Sequence, residues 1–101
     1  MESWRCALKT KRSNGVDVAA VLAERQKTHG SFVTHAAIAQ AIKAVYHAVP
    51  GWAKLDDDMK ESLEMNAHKT ARILNGDPAF ADHWVDIAGY SKLVGDRLEK
   101  S

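Results

Sequence analysis

Four residues, Asn75-Gly76-Asp77-Pro78, put a hard stop in the second half of this chain. Asn-Gly ends a helix readily, and Asp-Pro prevents its continuation, because the residue before proline is pushed out of the α region. Helical periods lie on both sides of the stop. Before it, Met59, Leu63, Ala67, Thr70 and Leu74 fall on one stripe at about 100° per residue. After it, Trp84, Ile87, Ser91, Val94 and Leu98 do the same, with a second strip of Val85, Gly89 and Leu93. The spacing predicts one helix from the Asp56-Asp57-Asp58 run to Leu74 and another over Ala81–Glu99. Two strips on the last helix imply that it is contacted on two faces. Gly89 inside it marks a close approach, since a mid-helix glycine costs about 1 kcal/mol relative to alanine.

The first half reads in the same way. Val18, Val21 and Leu22 share one side of a helix over Val16–Thr28, and Gly30 stands where a C-terminal cap needs positive φ. After a His29–Val33 loop, Thr34 is an N-cap candidate for a helix over His35–Val49. Ile38, Ala41, Ile42, Val45 and Val49 form its apolar stripe, and its many alanines keep it slim. Pro50-Gly51 ends it, and Trp52 and Leu55 anchor the loop that follows. The expected architecture is all-α, a bundle of four helices over residues 16–101 with short connections. A basic arm over residues 1–15 carries Trp4, Cys6 and four cations ahead of it.

Composition narrows the function classes. The 101 residues make one domain, and a core this small makes self-association an expectation. A formal net charge of +1 argues against a dedicated nucleic-acid-binding domain, although the basic arm with its aromatic could touch phosphates. One cysteine excludes an internal disulfide and implies a cytoplasmic protein. No run is long and apolar enough to span a membrane.

The residues with chemistry are the acids of the last two helices. Glu61 and Glu64 are three apart and Asp82 and Asp86 four apart, so each pair shares a helix face. Carboxylates from two helices suit magnesium, which takes oxygen ligands and keeps several waters. Under that reading Lys69 or Arg72 would meet a ligand phosphate, as would His29 beside its glycine. A purely structural reading stands beside it. Asp82 serves the helix dipole, Glu61 belongs to a capping box with Asp58, and Asp86 pairs with Lys69 or Arg72 to fix helix register. The histidines His29, His35, His47, His68 and His83 have no zinc-site spacing.

RQKTHGSF (Arg25–Phe32), LEMNAHKTARILNGDP (Leu63–Pro78) and DHWVDIAGYSKLV (Asp82–Val94) resemble a family of small phage and prophage proteins without an assigned activity. More distantly, the last two helices resemble the all-α nucleoside triphosphate pyrophosphatases of the MazG type. That likeness implies magnesium held by Glu61, Glu64, Asp82 and Asp86, cleavage between the α and β phosphates, and assembly as dimers or tetramers. The pattern departs from the enzymes' at Lys60, which precedes Glu61, and in the four-residue spacing of the aspartates. The expectation is therefore a non-catalytic phage-type accessory protein that binds a partner. The alternative is a magnesium-dependent pyrophosphohydrolase or nucleotide binder.

Overall fold

The computed structural model describes residues 17–100. They form helices α1 (Val18–His29), α2 (Phe32–Ala48), α3 (Asp57–Asn75) and α4 (Ala81–Lys100), with a 3₁₀ turn (Pro50–Lys54) between α2 and α3. No strand occurs among the described residues, and no described helix is long and apolar enough to cross a membrane. The expected basic arm, with Trp4 and Cys6, lies outside the described residues.

The stops fall within one residue of where the spacing put them, while α1 starts at Val18 rather than Val16 and α2 at Phe32 rather than His35. Asp17 opens α1 by accepting from the Ala19 amide at 3.0 Å. The N-cap of α2 is Ser31, whose hydroxyl accepts from the Thr34 amide. Thr34 is thus inside the first turn rather than at its cap, because Phe32 and Val33 are helical. At α3, Asp56 takes the N-cap position, but its side chain makes no capping bond and accepts from Arg97 at 3.0 Å instead. Asp58 is likewise bound by Arg97, at 2.7 Å. The capping box expected of Asp58 and Glu61 gives way to this exposed charge cluster, which ties the start of α3 to the end of α4.

Gly30 is the tightest point of the fold. Its φ is +75°, and a Cβ there would collide with the Asn75 carbonyl. The Asn75 side chain donates to the His29 carbonyl at 3.1 Å and the Ser31 carbonyl at 2.8 Å. The α1–α2 turn is thereby clamped to the end of α3, and only glycine permits both the backbone conformation and the approach. At the other end, Trp52 stacks on Tyr46 with ring centroids 5.7 Å apart and meets His47 edge-on. Trp52 is half-buried as the loop anchor the sequence predicted.

The buried interior is thin and polar. Its apolar members are Val21, Ala39, Ala67 and Ala71, and its polar ones are His35, Ser62, Lys69, Arg72, His83 and Asp86. Small residues on α2 and α3 let those helices pack closely. The apolar stripes predicted to face the core do so only in part: Ala67 is buried and Met59, Thr70, Ile87 and Val94 are half-buried. Leu63 and Leu74 of α3 and Trp84 and Leu98 of α4 are exposed, Leu74 by 67% and Trp84 by 55%. Three pairings fix the rotation of the antiparallel α3–α4 pair. Lys69 meets Asp86, Asp58 meets Arg97, and Asn66 donates to the Ser91 hydroxyl at 3.1 Å. With Asp86 turned inward, the stripe through Trp84, Ser91 and Leu98 turns out, on the side marked by the Asn66–Ser91 bond. The Met59–Leu74 stripe of α3 flanks that same side by helical phase. One side of the α3–α4 pair therefore carries exposed apolar side chains from both helices, Leu63 and Leu74 of α3 and Trp84 and Leu98 of α4.

Replacing Gly30 with alanine forces a left-handed residue against a backbone oxygen. We expect Gly30→Ala to destabilise the chain by about 2 kcal/mol or more, read as a lower urea midpoint with an unchanged slope.

Candidate functional site

Between α1, α2, α3 and the start of α4 the chain gathers an unusual set of basic side chains. His35 of α2 faces His68 of α3, with Nε2 and Nδ1 3.3 Å apart and the rings edge-on. Arg72 lies one helical turn beyond His68 and is buried. On the α4 side, buried His83 packs against His29 and Phe80, with ring centroids 4.7 and 4.9 Å away. Lys69 is fully buried and its Nζ lies 2.8 Å from Asp86 Oδ2, also buried. A cavity of about 310 Å³ opens beside this cluster, lined in part by Arg25, His29, His35 and Arg72.

Electrostatics follow from that density of positive charge. Burial, and then Arg72, Arg25, Lys43 and His83, push the His35 pKa down to about 4. Burial, and then Arg72, His35, Lys69 and Lys43, push His68 down to about 3. Both imidazoles are neutral at pH 7, so one nitrogen of the contacting pair donates and the other accepts. Burial also lowers the Arg25 pKa.

The carboxylates singled out from the sequence are dispersed. Glu64 looks toward α2, where its Oε2 lies 2.6 Å from His47 Nε2. Asp86 is committed to Lys69, the inter-helix ion pair of the structural reading. Glu61 is exposed, and Asp82 is half-buried in the first turn of α4, where it favours the helix dipole. In the register set by Lys69 and Asp86, Glu64 is offset from Asp86 by roughly 7–8 Å along the axis. Asp82 lies a further turn away on α4. Among the described residues no group of three His, Cys, Asp or Glu side chains could hold a metal ion. The four acids thus do not converge on one point in this arrangement. Of the predicted ligand residues, His29 and Arg72 line the cavity, whereas Lys69 belongs to its ion pair.

Sequence reasoning passed over His35, His68 and Arg25, which carry most of the site. The signal for the first two was their placement. His35 heads a slim alanine-rich helix, and His68 sits one residue from the Ala67 that packs against it. Compared with known protein families, curated proteins and solved structures, the chain matches none.

Two outcomes follow. Unfolded histidines titrate near 6.5, so between about pH 6.5 and 4 the unfolded chain holds more protons than the folded one. Stability therefore falls as pH drops through that window, and the melting temperature should decline by several degrees from pH 7 to 4.5. His68→Leu should flatten that slope in a calorimetric series. Separately, Asp86→Asn leaves the Lys69 ammonium buried without its counter-charge and should cost about 3–5 kcal/mol. The double variant Lys69→Met/Asp86→Leu should recover most of that loss in urea unfolding.

Proposed function

We propose that this chain acts by association rather than catalysis. It is a non-catalytic accessory protein of the kind implied by its resemblance to small phage and prophage proteins, and its working form is a homo-oligomer. The observation that carries this reading is the set of exposed apolar side chains on one side of the α3–α4 pair. Single exposed apolar residues need no explanation, but several gathered on one side of a helix pair mark an interaction surface.

The occupant that fits the face best is a second copy. Trp84, Ala88, Ser91, Gly95 and Leu98 are all exposed and recur at spacings of four, three, four and three. That is the heptad seam of a helix made to pair with another helix. The seam is self-complementary in the antiparallel sense. A two-fold axis at Ser91 sets Trp84 opposite the partner's Leu98 and brings Ala88 within one residue of the partner's Gly95. Such a contact is isologous and closes as a dimer. The middle of the seam is slim, so two helices can approach closely, while the ends are bulky. A Cβ at Gly95 would meet nothing within 4 Å in the single chain.

The alternative from the sequence, magnesium-dependent pyrophosphate release, lacks this kind of support, since its acids are occupied by His47 and Lys69 or spread along the helices. A nucleotide panel with magnesium tests it directly, and turnover abolished by Asp82→Asn would reinstate it.

Gly95→Glu distinguishes the dimer from a bare monomer by the sign of its effect. In an isolated chain, glutamate at an exposed mid-helix position should stabilise by up to about 1 kcal/mol. In the dimer it places a carboxylate in the seam. We expect sedimentation to give twice the chain mass of 11.1 kDa for the native protein, a single-chain mass for Gly95→Glu, and a lower melting temperature for the variant. A native protein that sediments as a monomer at millimolar concentration, with Gly95→Glu more stable than it, would end the proposal.

A further inference from the structure

The cavity beside the basic cluster lies among α1, α2 and α3 and shares no lining residue with the apolar face. Its walls draw on three helices: Arg25 and His29 come from α1, His35 from α2 and Arg72 from α3. Leu22 and Phe32 form the mouth, and Phe32 is 74% exposed although it is a large aromatic at a helix start. No acidic residue is among the described residues that line it. The N-terminus of the 17-residue α2 opens here and has no acidic residue in its first turn. Its positive end is thus left without a carboxylate of its own helix.

A second observation, separate from this charge, points to a missing ligand. His35 is only 4% exposed, its Nε2 is engaged with His68, and its Nδ1 is buried with no hydrogen-bond partner. Buried polar atoms in folded proteins are nearly always partnered. The tautomers are coupled across the pair. When His68 Nδ1 donates to His35 Nε2, the proton of neutral His35 sits on Nδ1, which then offers a donor in the cavity wall.

We infer that this cavity binds a phosphate monoester carried on a compact aromatic or apolar body. The phosphate sits among Arg25, Arg72 and His35 Nδ1–H, and the body lies against Leu22 and Phe32. Guanidinium groups present planar forks that match phosphate oxygens. The volume sets the size, being near the lower end for small-molecule pockets at about 310 Å³. That suits one ring with one phosphate. Among the described residues no carboxylate lines the cavity, so binding needs no divalent cation, and no bond is made or broken. The bound anion also favours protonation of His35, which burial, Arg72 on α3, Arg25 on α1, Lys43 on α2 and His83 on α4 hold neutral in the free chain, with His68 of α3 in contact with its Nε2.

Calorimetry on the full chain in EDTA tests this with three probes: phenyl phosphate, inorganic phosphate and benzyl alcohol. Phenyl phosphate should bind at least tenfold tighter than inorganic phosphate, a difference of about 1.4 kcal/mol. Benzyl alcohol should give no heat. Arg25→Gln should weaken both anions at least tenfold while the circular dichroism stays unchanged. Phe32→Ala, at an exposed position, should weaken phenyl phosphate alone. The imidazole resonances of His35 should shift with the titration and those of His47 should not. Absence of heat and of His35 shifts at millimolar probe overturns the assignment. So does binding that Arg25→Gln leaves intact, or equal affinity for inorganic and phenyl phosphate.

Discussion

A lysine and an aspartate buried between two helices decide how this chain presents itself. Taking both charges out of water is costly, and the contact is sustained only while each remains opposite the other. Lys69 and Asp86 lie 2.8 Å apart with both side chains almost wholly covered. That pairing allows α4 little freedom to rotate. Turning α4 by about 100° to bury Trp84 would swing Asp86 away and strand the Lys69 charge. The exposed fork of Arg97 on Asp56 and Asp58 supports the same register from the far end, but exposed pairs contribute little by themselves. The buried pair dominates, and the apolar stripe goes outward because of it.

The division of the chain into helices was legible because it rests on local chemistry. Pro50-Gly51 and Asn75-Gly76-Asp77-Pro78 terminate helices whatever surrounds them, and Gly30 takes the positive φ that its position called for. The facing of the helices was not legible, for a specific reason. A hydrophobic stripe is read as inward on the assumption that one chain buries its own apolar surface. Here the large members of the two stripes, Leu63, Leu74, Trp84 and Leu98, satisfy the periodicity but lie outside, while Ala67, Ala71, His83 and Asp86 are buried. Periodicity cannot say whether a stripe meets its own chain or another.

The acids and histidines show the same limit from the other side. Glu64 and Asp86 share one-turn spacing with their neighbours, as a ligand pair should, yet each is drawn to a basic group on a different helix. The partners of a carboxylate are set by which helices pack together, and α2 is the element whose position the spacing leaves open. Once α2 lies on α3, His47 captures Glu64 and His35 meets His68. Of the residues the sequence offered for a ligand, His29 and Arg72 line the cavity. His35, in the same wall, was not offered, because its placement there is set with a contact across 33 residues of chain.

The clamp at Gly30 connects these features. Asn75 holds the carbonyls on both sides of that glycine, and Asn75 is the last residue of the helix that carries Lys69 and Arg72. The α1–α2 turn, which delivers His29 to the cavity and starts α2 beneath it, is thus attached to the same rigid element that fixes α4. Arg72 and His35 line the cavity from α3 and α2, while α1 contributes Arg25 and His29, and the His29–His83–Phe80 ring contacts tie its end to the start of α4. The cavity and the outward side of the α3–α4 pair thus use opposite faces of α3, Arg72 on one and Leu63 and Leu74 on the other.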